Sequence, residues 1–140
     1  MNILLAVDGS VYTKKMLAYL AAHDYLAGSV HQSTVMTVQP ALPARARAAV
    51  GQEVVSQYYA EEAEKVMAPV CKYLAQHGVT PQRVVKVGNV GETIAHFAES
   101  EKFDMLVMGS RGHGALATLV MGSVTTQVLA NSTVPVLIIR

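Results

Sequence analysis

One cysteine in 140 residues, Cys71, can neither close an internal disulfide nor build a multi-thiolate metal site. Charge is scarce as well. Charged residues make up 15% of the chain, the formal net charge is +1, and no run of Lys or Arg occurs, which argues against nucleic acid or an anionic membrane as a partner. No uncharged apolar run approaches the roughly 18 residues of a membrane span; the longest, VPVLII and MLVMG, have the length of strands. The opening MNILLAVDGS has no basic start and no cleavage site, so it reads as a first strand and not as a signal peptide, and the cytoplasm is the expected compartment. His23, His31, His77 and His96 share no metal-ligand spacing and are expected at the surface or at helix ends. There is no internal repeat, low-complexity tract or linker.

What is present is a regular alternation. At 51% hydrophobic residues, a chain of this length forms one domain, residues 1–140, and buries about two thirds of the surface its unfolded form exposes. NILLAVD is a short, continuous apolar run, the pattern of a strand buried on both faces. Thr13 to Ala27 then carries Leu17, Leu20 and Ala21 at helical spacing before Gly28. STVMTVQ is a second strand. A long helix from Gln52 to His77 follows, with Pro69 inside it, where a missing donor and a ring clash predict a kink or break near Met67. PQRVVKVG is the third strand, Glu92 to Glu101 a short helix, DMLVMG the fourth strand, Ser123 to Ala130 the last helix and VPVLIIR the fifth strand. The segment PALPARARAAVGQE has no assignment; Arg45 and Arg47 within it are either a solvated basic pair or part of a lid over the site.

Five alternations predict an open parallel α/β sheet with helices on both faces and right-handed crossovers; with strands 1 to 3 growing one way and strands 4 and 5 the other, the expected order is 3-2-1-4-5. A sheet of this kind binds ligands at the carboxyl ends of its strands, where the winding reverses. That crevice is flanked by DGS after strand 1 and GSRGHG after strand 4.

The stretch MGSRGHGALATLVMGSV, residues 108–124, therefore falls where a ligand belongs. Its glycines let a ligand reach backbone N–H groups without a Cβ in the way. Gly122-Ser123 opens the last helix, whose free N–H groups and dipole favour an anion, and the hydroxyls of Ser110 and Ser123 add donors. Phosphate suits this set. A P-loop would need Lys-Ser/Thr after its second glycine, but Ala115-Leu116 follows Gly114; the dinucleotide fingerprint is absent too.

The spacing that is present, Gly109-x2-Gly112-x9-Gly122-Ser123, resembles the nucleotide-binding signature of the universal stress protein family, in its ATP-binding subgroup. ILLAVDGS, VMTVQP, VGNVGETIAHFAE and FDMLVMGSRGHG through VPVLIIR resemble the family's segments in order. The resemblance implies that Asp8 and Val38 line an adenine and ribose pocket, while Gly109, Gly112, Gly122 and Ser123 hold phosphates. Ser110, Arg111, His113 and Val124, within or beside the signature, complete the candidate set. Asp8 has a rival role as a turn or helix cap, and Arg111 and His113 have one as solvated loop residues.

The expected function is that of an adenine-nucleotide-binding stress-response or regulatory protein. Its ligand is ATP, or ADP or AMP, with Mg²⁺ as an optional companion. Hydrolysis needs carboxylates for a metal and a group to orient water. Near the crevice the sequence offers only Asp8 and Glu92, since Asp104 starts strand 4 at the wrong end, so little or no turnover is expected. Two alternatives stay open: a slow ATPase or adenylate-transferring enzyme, and an interaction protein without a physiological nucleotide. Val134 to Arg140, an uncharged edge until Arg140, predicts a homodimer through strand 5, beside an unidentified protein partner.

Overall fold

The computed structural model describes residues 1–25, 31–113 and 120–140. Its elements in chain order are β1 (Asn2–Ala6), α1 (Val11–Ala22), β2 (Gln32–Gln39), α2 (Ala44–Val50), α3 (Gln52–Gln76), β3 (Gln82–Val87), α4 (Val90–Ser100), β4 (Met105–Gly109), α5 (Ser123–Asn131) and β5 (Val136–Ile139). The five strands form one sheet in the order β3-β2-β1-β4-β5, all pairs parallel. Both the parallel pairing and the order are those expected.

The sheet is apolar on both faces because residues alternate in direction along each strand. Ile3, Leu5, Val7, Val35 and Val107 pack under α1 and α3 with Met16, Leu20, Met67 and Leu74. Leu4, Ala6, Met36, Leu106 and Met108 pack on the other side with Ile94 and Ala98 of α4 and Val128 of α5. The register carries one such row across the sheet, with Leu5 paired to Val35 on one side and to Val107 on the other. The chain steps from β1 to β2 and β3 on one side and then returns to β4 and β5 on the other side of β1. The winding therefore reverses between β1 and β4.

Several boundaries differ from the predicted ones, each for a local reason. α1 starts at Val11, before Thr13, because the Ser10 hydroxyl accepts the Tyr12 N–H at 3.3 Å and caps the helix. It ends at Ala22 and not at Ala27: the His23 N–H still reaches the Tyr19 carbonyl at 3.1 Å, but Asp24 takes a φ of 60° and turns the chain away. The rest of that predicted helix, Leu26 and Ala27 with Gly28 after it, lies outside the described residues. α4 starts at Val90, earlier than Glu92, because the Asn89 side chain accepts the Glu92 N–H at 3.1 Å.

The unassigned segment supplies α2, whose residues are all exposed. The expected break near Met67 is absent, and α3 runs continuously through Pro69. Pro69 is exposed, so the missing donor costs a bond on the wet side of the helix, while Ala63, Met67, Val70 and Leu74 hold the dry side against the sheet. A helix of 25 residues spans about 37 Å, against about 26 Å for the eight residues of β2. Its buried positions accordingly gather from Ala63 onward, and of the first turns only Val55 is covered. No helix among the described residues is long and apolar enough to cross a membrane.

Candidate functional site

The turn after β1 is built around one hydroxyl. Thr13 donates to Asp8 Oδ1 at 3.0 Å, and its Oγ1 accepts the N–H groups of Asp8 at 3.1 Å and Gly9 at 3.2 Å. Asp8 Oδ1 also accepts the Ser10 N–H at 2.9 Å. One carboxylate oxygen of Asp8 thus closes the turn, as an Asp-Gly pair commonly does. The other faces the second loop of the crevice, where Gly112 packs directly against Oδ2.

Two glycines make that approach possible. A Cβ on Gly112 would run into Asp8 Oδ2, and a Cβ on Gly109 would sit 2.6 Å from Tyr12 Cβ, closer than any real pair of such atoms. Between them Arg111 lies over the Tyr12 ring, with Cζ 4.8 Å from its centroid. His113 Nε2 is 2.8 Å from the Asp8 carbonyl oxygen. A carbonyl only accepts, so Nε2 carries the proton.

Ser110 is placed differently. At 1% exposure it turns inward and does not line the cleft. Its N–H donates to the Ile139 carbonyl at 2.8 Å, and its carbonyl accepts the Gly122 N–H at 2.7 Å. Thr125 donates to the Gly109 carbonyl at 3.0 Å and approaches that of Ser110 at 3.4 Å. These bonds fasten the start of α5 to the end of β4.

Gly122 is the N-cap of α5, and no side chain caps the helix. The first N–H groups of a helix lack partners within it, so α5 presents them outward with the positive end of its dipole. Gly122 has an ordinary φ of −78°, and a Cβ there would meet nothing closer than Arg111 Cα at 3.4 Å. The fold does not require a glycine at this position. Ser123 is exposed, and Val124 is half-buried against the α4 and α5 core.

These groups surround a cleft of about 740 Å³ at the carboxyl ends of the strands. Every predicted site residue except Ser110 lines it: Asp8, Val38, Gly109, Arg111, Gly112 and His113, then Gly122, Ser123 and Val124 at the helix start. Ile94 and Met108 add apolar surface. Arg45 and Arg47 of α2 and Glu92 do not line it. A smaller cleft of about 470 Å³ lies at the opposite end of the sheet, beside Asn2, His31 and Phe103. Asp104 is at that end too, accepting the Asn2 N–H at 2.6 Å.

Besides Ile94 and Met108, sequence reasoning missed four polar contributors. Thr13 and Thr125 each fall one turn or less into a helix that follows a site loop, a position that signals a tie to the preceding strand end. Glu62 and Lys65 also line the cleft, paired at 2.7 Å. Nothing local marks them, because they reach the site only through the length of α3. Among the described residues, no group of three or more His, Cys, Asp or Glu is placed to hold a metal ion.

The sequence model of the Universal stress protein family matches residues 1–140. A universal stress protein of Thermus aquaticus is 33% identical over 140 residues, covering 99% of this chain and 98% of that protein. One of Synechocystis is 32% identical over 140 residues, but the chain spans only 42% of its length. Among solved structures, MJ0577 of Methanocaldococcus jannaschii superposes with a TM-score of 0.81 at 28% identity, covering 99% of this chain and 94% of that one. Two more distant structures share the fold: a universal stress protein in complex with cAMP, TM-score 0.68 at 19% identity, covering 100% of this chain and 97% of that one; and an Arabidopsis thaliana family protein with AMP bound, TM-score 0.71 at 17% identity, covering 99% and 90%.

Proposed function

The chain belongs to the universal stress protein family, and from that premise we propose that it binds an adenine nucleotide, ATP in the first place, in the cleft between β1 and β4. The observation that carries this reading is the uncapped start of α5 at Gly122, held beside Gly109 and Gly112 and facing the same cleft as Asp8. The helix N–H groups receive the phosphates. Val38, with Ile94 and Met108, receives the base, and Asp8 receives ribose hydroxyls through Oδ2. The two distant family structures with cAMP and AMP support an adenine nucleotide as the ligand class.

Mg²⁺, where it accompanies the nucleotide, would be held by phosphate oxygens, since Asp8 Oδ1 is engaged by Ser10 and Thr13. The protein then acts as a nucleotide-dependent regulator in the cytoplasm, with turnover well below the roughly 1 per second of ordinary enzymes. It does so as a homodimer paired through β5.

Gly122→Val tests the site. The fold tolerates a Cβ there, so the thermal midpoint stays near that of the wild type while ATP affinity falls by about a hundredfold or more. Equal affinity for ATP in calorimetry overturns the reading.

A further inference from the structure

The cleft holds an ion pair that no motif announces. Lys65 Nζ lies 2.7 Å from Glu62 Oε1 on consecutive turns of α3, with the lysine side chain 71% exposed and the glutamate 33%. Both residues line the same cleft as the phosphate loop. Neighbouring contacts bring α3 beside the turn after β1. The Cβ position of Gly9 lies 3.4 Å from Val66 Cγ2, the residue next to Lys65, and Asp8, next to Gly9, carries the Oδ2 that touches Gly112. Lys65 carries its ammonium on a flexible stem of four carbons.

We infer that Glu62 is a built-in competitor for Lys65, and that a nucleotide's outer phosphates take the ammonium from it, which makes the site prefer ATP over AMP. This deepens the nucleotide-binding reading and rests on it. α5 supplies a dipole and the glycine loop one guanidinium, Arg111, which lies over the Tyr12 ring, whereas a triphosphate brings several negative charges. Lys65 is a second cation lining the same cleft. In the free protein Glu62 holds it, and hydrogen bonding and charge attraction from Glu62 raise the lysine pKa. An exposed pair three residues apart is weak, and one carboxylate loses to a triphosphate. A monophosphate seated by the α5 N–H groups ends too early to compete.

The test is calorimetric titration of the full chain with ATP, ADP, AMP and adenosine at fixed ionic strength. Lys65→Met should weaken ATP by about tenfold and AMP by less than threefold. Glu62→Gln should do the opposite and tighten ATP several-fold, because it removes the competitor and leaves the lysine. Both positions lie outside the core, so melting curves should match the wild type. Lys65→Met with unchanged ATP affinity, or with equal losses for ATP and adenosine, overturns the inference while leaving the site intact. So does Glu62→Gln that binds ATP more weakly. A wild-type protein that binds none of the four overturns the site itself.

Discussion

His113 reaches across the crevice to Asp8: its Nε2 lies 2.8 Å from the Asp8 carbonyl oxygen and joins two loops 105 positions apart. The bond ties together two loops that border the proposed nucleotide cleft, so it should act on the rates more than on the equilibrium. His113→Ala should raise both association and dissociation rates of a fluorescent ATP analogue in stopped flow by about fivefold, the equivalent of one hydrogen bond. Unchanged rates would remove the latch role.

Gly109 and Gly122 should behave as opposites although they belong to the same signature. Gly109→Ala drives a Cβ into Tyr12 at the root of α1, and overpacking of this kind costs about 1–3 kcal/mol. Calorimetric melting should show a midpoint lower by several degrees, against almost no change for Gly122→Ala. A Gly109→Ala protein as stable as the wild type would mean that Tyr12 yields freely.

Thr13→Val keeps the shape of a buried residue and removes the hydroxyl that serves Asp8 Oδ1 and two N–H groups. Leaving those groups unpaired should cost about 1–3 kcal/mol of stability in urea unfolding. Nucleotide affinity should fall as well, since Asp8 loses its anchor. A variant with wild-type stability but lost binding would show that the hydroxyl serves the ligand and not the turn.

The edge strand gives a prediction about assembly. Val136, Leu137 and Ile138 are half-buried and Ile139 is buried in a strand with β4 on one side only. Pairing with a second copy would satisfy the outer backbone groups. Ile138→Asp should shift sedimentation from dimer to monomer at micromolar concentration while the circular dichroism spectrum is kept. A wild-type monomer under the same conditions excludes the assembly.

Acid stability should depend on Glu99. The Thr133 N–H, the Thr133 hydroxyl and the Ser132 hydroxyl all donate to it, and they hold its pKa below the ordinary glutamate value. A pKa lower in the folded than in the unfolded state adds stability above the unfolded value, and that stability is lost as pH falls through the folded one. Glu99→Gln should therefore flatten the acid limb of the stability profile and leave the neutral region parallel to the wild type. An unchanged acid slope would mean that those donors find water equally well.

What could be read from the sequence follows what is local. The strands, their parallel pairing and the cover on both faces of the sheet came from apolar runs such as ILLAV and VLII and from their alternation with helical spacing, whereas the strand order was a choice of topology that alternation alone does not make. The positions of Gly109, Gly112 and Gly122 came from a fixed spacing next to a strand end. Ser110 looked like a donor for the same reason, yet whether a loop side chain points in or out depends on the pairing of its N–H with Ile139, which spacing does not reveal. Glu62 and Lys65 lie in a helix whose bounds were legible, but that this part of it borders the cleft depends on how α3 packs on the sheet, and the break expected near Met67 did not occur at Pro69. The proline was outweighed by the helix's buried side, a tertiary effect that no window of sequence contains.

Pro69 leaves a mark on α3 all the same. A proline has no N–H to give, so the carbonyl four residues earlier, that of Lys65, has no helical donor. The ring also crowds that carbonyl outward. In mechanical terms α3 is a stiff rod with one compliant joint, and the joint lies at the residue whose ammonium is paired with Glu62. Force applied at Lys65 should therefore bend the exposed first half of the rod before it disturbs the half anchored by Met67, Val70 and Leu74.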